Sequence, residues 1–72
     1  MEFTEEEIRE AYRKYFLKRA DLGYTDTDVS KNAKVDAGSL VKWKKGEVMP
    51  RERTLFKIAS LIGCKVSDFL CA

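Results

Sequence analysis

Residues 25–46 read TDTDVSKNAKVDAGSLVKWKKG, and the two short helices they encode decide the fold. Thr25 can cap a helix across 26–33, in which Val29 and Ala33 stand four apart and face inward. Lys34 and Val35 leave room only for a tight connection. Asp36 is a good N-cap for a second helix, over 37–45, which buries Leu40 and Trp43 and stops at Gly46. The spacing of Trp43 from Leu40 makes it a core residue.

Towards the N-terminus, Thr4 followed by Glu5, Glu6 and Glu7 is a capping box, with acids near the positive end of the helix dipole. Ile8, Ala11, Tyr12, Tyr15 and Phe16 then recur at helical spacing, so a helix runs over 5–21, with Gly23 at or just past its end. Towards the C-terminus, a loop over 47–50 leads to Leu55, Ile58, Ala59 and Ile62. These are the apolar stripe of a helix over 52–62, closed by Gly63. Ser67 caps a last turn over 68–70 that delivers Phe69 and Leu70 to the core or to a neighbour. Nothing alternates with period two, so no sheet is expected. The reading is all-α, five helices, one domain over 1–72.

Seventy-two residues are near the lower limit for a chain that folds without staples. A core of this size is worth only a few kcal/mol net, so a homodimer or heteromer is an expectation. No stretch approaches the roughly 20 apolar residues of a bilayer span. The N-terminal MEFTEEEIRE is acidic where an export signal would be basic, which points to the cytoplasm. Cys64 reads as a small buried hydrophobe and Cys71 as incidental. With no histidine, no glycine-rich phosphate loop and no Cys/His cluster, enzyme and metal readings lack ligands and catalysts, and no cofactor is expected. Charge is uneven: residues 1–28 carry five basic and eight acidic side chains, and residues 29–72 carry nine basic and four acidic. That asymmetry suggests one face offered to something anionic.

The stretch from Thr25 to Gly46, with Pro50 and the later LFKIASLIG over 55–63, resembles the Cro/C1-type helix-turn-helix of phage repressors and their bacterial relatives. The features that carry the likeness are the Thr25 cap, Val29, the small Ala33, Val35 and Leu40, the WKKG ending and the proline four residues later. The likeness covers residues 24–70. It implies a five-helix lambda-repressor-like domain whose third helix enters the major groove of double-stranded DNA, while the second crosses the phosphate backbone. One departure is Lys34: the family usually has Gly there, at positive φ, and Lys should cost about 1 kcal/mol.

The resemblance also implies site residues. Base reading would come from the start of the third helix and a position about a turn later: Ala37, Gly38 and Lys42, with Ser39 between them. Lys42 can donate to guanine O6 and N7, and Ala37 can touch a thymine methyl. Gly38 offers no side chain. Phosphate contacts would come from Thr25, Thr27, Lys31, Lys34, Lys44 and Lys45, with Arg51 and Arg53 after the loop. Against them stand Asp26, Asp28 and Asp36, carboxylates near the surface that would meet phosphate.

Two functions therefore stay open. One is a transcription regulator binding an operator. The other is an antirepressor that uses those acids to cover the DNA-binding surface of a partner repressor. An antitoxin, a third class on this fold, lacks an evident toxin-binding tail. Phe56 and Leu61 lie off the fourth helix's inner stripe, and with Phe69 and Leu70 they would form an apolar patch for a partner. The alternative is a wide core stripe.

Overall fold

The computed structural model describes residues 3–70. Its elements are α1 (Glu5–Asp21), α2 (Asp26–Ala33), α3 (Ala37–Lys45), α4 (Glu52–Ile62) and α5 (Ser67–Leu70), with no strand among the described residues. Cys71 lies outside them.

Local chemistry sets these ends. The Thr4 capping box is complete: the Glu7 amide donates to Thr4 Oγ1 at 3.1 Å, and the Thr4 amide donates to Glu7 Oε1 at 2.9 Å. Thr25 repeats the device with Asp28, at 3.1 and 3.0 Å. Asp36 stands at the N-cap of α3 but makes no side-chain cap bond, contrary to expectation. A Cβ built on Gly38 would meet the Asp36 carboxylate at 3.1 Å, so that side chain lies over the first turn without reaching an amide. Nor does Ser67 cap the last turn. The Asp68 carboxylate instead accepts from the Lys65 amide, just ahead of the helix, at 2.9 Å.

Lys34 ends α2 in the left-handed region, at φ 56° and ψ 49°, the conformation expected of it. The turn is closed by the Val35 amide on the Ser30 carbonyl and by the Ser30 hydroxyl on the Val35 carbonyl, at 3.2 and 2.8 Å. Gly46 is needed twice over. Its φ is +79°, and a Cβ there would sit 2.8 Å from both Arg9 Nε and Glu5 Cγ, where α1 crosses the end of α3.

α1 packs on α3 and α5, and α2 packs on α3 and α4. Trp43 is fully buried between them, stacked on Tyr15 with ring centroids 4.9 Å apart and edge-on to Phe69 at 6.1 Å. Leu40, Val29 and Ile58 complete the centre. The Trp43 indole N–H is buried with no hydrogen-bond acceptor.

The expected apolar patch does not exist as one surface. Phe69 is 1% exposed and belongs to the core, because α5 docks its aromatic edge against Tyr15 and Trp43. Leu70 is exposed and lines a groove with Phe3 and Met49. Leu61 is half-buried against the core. Phe56, 65% exposed, sits apart beside Arg53 and Val66. Phe16 also departs from its expected inner position: it is exposed, and the Arg19 guanidinium lies 4.6 Å over its ring.

Candidate nucleic-acid interface

A helix turns about 100° per residue, so burial of Leu40 and Trp43 fixes which side of α3 faces out. Gly38, Val41, Lys42 and Lys45 occupy that outer side, and all four are exposed. Ala37 and Lys44 are exposed at its edge, whereas Ser39 is half-buried on the flank towards the core. Val41 is absent from the set that sequence reasoning assembled. The signal was available: Leu40 and Trp43 mark the inner face, and steps of about 100° per residue carry Val41 round to the other side.

On α2, Thr27 and Lys31 stand four apart on the outer face and are exposed, as is Lys34 at the turn. Thr25 is exposed at the head of the helix, its hydroxyl oxygen already accepting the Asp28 amide. The amides of Asp26 and Thr27, first in the helix, have no carbonyl within it to bond. Such a terminus suits an anion.

The acids behave differently from expectation. Asp26 is turned inward onto α1, where Oδ1 accepts from the Tyr15 hydroxyl at 2.8 Å and Oδ2 from the Tyr12 hydroxyl at 3.0 Å. Arg19 Nε lies 3.1 Å from Oδ1, a charge contact without the alignment of a hydrogen bond. Burial first, and then the carboxylate, push both tyrosine hydroxyls to higher pKa. Arg19 is itself buried, and its Nη1 donates to the Tyr24 carbonyl at 2.7 Å. The negative charge of Asp26 is thus matched by Arg19, although its side chain remains 35% exposed. Asp28 is spent in the capping box, where the Thr25 amide holds its carboxyl below the usual range. Asp36 is exposed.

Sequence comparison decides the family. The helix-turn-helix family's sequence model matches residues 17–69. The chain belongs to the Cro/C1-type helix-turn-helix family. It is therefore a DNA-binding helix-turn-helix regulator, with α2 and α3 as the motif. The match begins in the last turns of α1, so it takes in Arg19 as well as the helix pair. Neither a curated protein nor a solved structure matches the chain. No helix among the described residues is long and apolar enough to cross a membrane, and no group of acids, cysteines and histidines among them could hold a metal ion.

Proposed function

We propose that this helix-turn-helix protein is a small repressor of the Cro type, which binds an operator with α3 in the major groove. The observation that carries this reading is the charge of the outer surface once Asp26 is subtracted. Lys31, Lys34, Lys42, Lys44 and Lys45 are all exposed on or beside α2 and α3, while Asp26 is matched by Arg19. Lys42 is the principal base donor, with Ala37 and Ser39 at the margins of the contact and Gly38 allowing close approach. Thr25, Thr27, Lys31, Lys34, Lys44 and Lys45 hold phosphates and set the register.

The test is a titration of the protein against its own promoter region and against random duplex. Lys42→Ala should cost about 1–3 kcal/mol and relax preference at one base pair. Lys31→Ala or Lys45→Ala should weaken all sequences alike and flatten the salt slope by about one unit. Equal affinity of the wild type for both duplexes would sink the operator reading.

A second reading, the antirepressor, is supported by the short side chains at Ala37 and Gly38 and by the exposed Asp36. Under it the protein would bind a neighbouring repressor in place of DNA, and Asp36→Lys would break that complex. Asp26 cannot serve in this test, because its replacement disturbs α1 as well as the surface.

A further inference from the structure

Val41 is 50% exposed on the outer side of α3. It follows the buried Leu40 and lies in one row with Gly38, three residues before it, and Lys45, four after. Burial does not explain a half-exposed valine there, and neither does helix stability, since a β-branched residue is a poorer helix former than alanine or lysine. Its neighbours one turn back on this side are Ala37 and Gly38, which project one methyl group and none. No long side chain at the start of α3 therefore holds Val41 away from a surface the helix approaches. Lys42 and Lys45 flank it and would draw that surface in.

We propose that Val41 is a specificity-determining residue that packs its isopropyl group against the C5-methyl of a thymine, so the operator carries a thymine opposite the middle of α3. This rests on the operator reading above. The thymine methyl is the apolar group that an unmodified base pair shows in the major groove. Valine has neither donor nor acceptor, so against the polar edge of guanine, adenine or cytosine it would desolvate a group and give nothing back. The contact deepens the reading head from one donor, Lys42, to a donor beside an apolar patch formed by Val41 and Ala37.

The experiment starts by selecting a preferred duplex from a random pool with the wild-type protein. Each thymine of that duplex is then replaced in turn by deoxyuridine, which removes the methyl and leaves pairing intact. At one position per bound copy the replacement should weaken binding about four- to tenfold, the scale of one well-buried methyl group. Val41→Ala, which keeps or improves helix propensity, should weaken binding to the thymine duplex by a similar factor. In that variant the same deoxyuridine replacement should have no further effect, because the two changes delete one contact. Selective binding that survives Val41→Ala unchanged would overturn this proposal and leave the operator reading standing, as would losses that simply multiply. Failure of the pool to yield any preferred sequence would overturn both.

Discussion

Arg19 near the end of α1 and Asp26 in the first turn of α2 meet at 3.1 Å, and the pair ties the helix-turn-helix to the rest of the domain. The two tyrosine hydroxyls that also reach Asp26 belong to α1. Asp26→Ala would leave the buried Arg19 without its counter-ion and two hydroxyls without their acceptor. The cost should be about 2–3 kcal/mol, below the roughly 3–5 of a fully buried pair because the carboxylate is partly in water. Urea denaturation measures it. A midpoint equal to wild type would mean that the pair contributes nothing to folding.

Alkaline stability should follow from the same network. Tyr12 and Tyr15 are held above the ordinary value of 10.0, so the folded chain keeps protons that the unfolded chain releases first. The stability they supply is therefore complete below about pH 10 and is lost progressively above it. Denaturation curves from pH 8 to 12 should show that fall, and Tyr15→Phe should flatten it. An equally steep decline in the variant would assign the effect to other groups.

Lys34 is the one non-glycine residue at positive φ among those described. Lys34→Gly removes the strain of a side chain at φ 56°, so it should stabilise the domain by up to about 1 kcal/mol. For a domain of this size that is a rise in Tm of about 4–8 °C. Calorimetry that finds no rise would mean the hydrogen bonds of Ser30 and Val35 already absorb the strain.

Aromatic residues of the C-terminal half should separate cleanly by burial. Trp43→Ala and Phe69→Ala should each cost about 3–5 kcal/mol, enough to unfold so small a domain. Phe56→Ala, at an exposed site, should stay within about 0.5 kcal/mol. A Phe69→Ala variant with a wild-type melt would place Phe69 on the surface and undo the packing of α5.

The helix boundaries were legible because what sets them is near in sequence. Thr4, Thr25, Gly46 and Gly63 act on backbone groups within a few residues, and the inward rows of α1 to α4 repeat at the helical period. The Thr25–Asp28 capping box carries the same signature, a threonine followed three residues later by an acid, yet Asp28 by itself reads as a surface acid. The left-handed turn at Lys34 came from family likeness, since no property of lysine asks for it.

What the tertiary structure alone decided concerns partners on other helices. Asp26 reads locally as a surface acid, and its role changed because α1 crosses where Tyr12, Tyr15 and Arg19 can reach it. α5 is four residues long, too short for periodicity to say whether Phe69 or Leu70 points inward. Docking against Tyr15 and Trp43 chose Phe69. Phe56 and Leu61, alike in sequence as residues off a stripe, parted because one flank of α4 meets the core and the other meets solvent. Local backbone chemistry depends on neighbours along the chain, whereas the fate of a side chain on a helix flank depends on the angle at which another helix arrives.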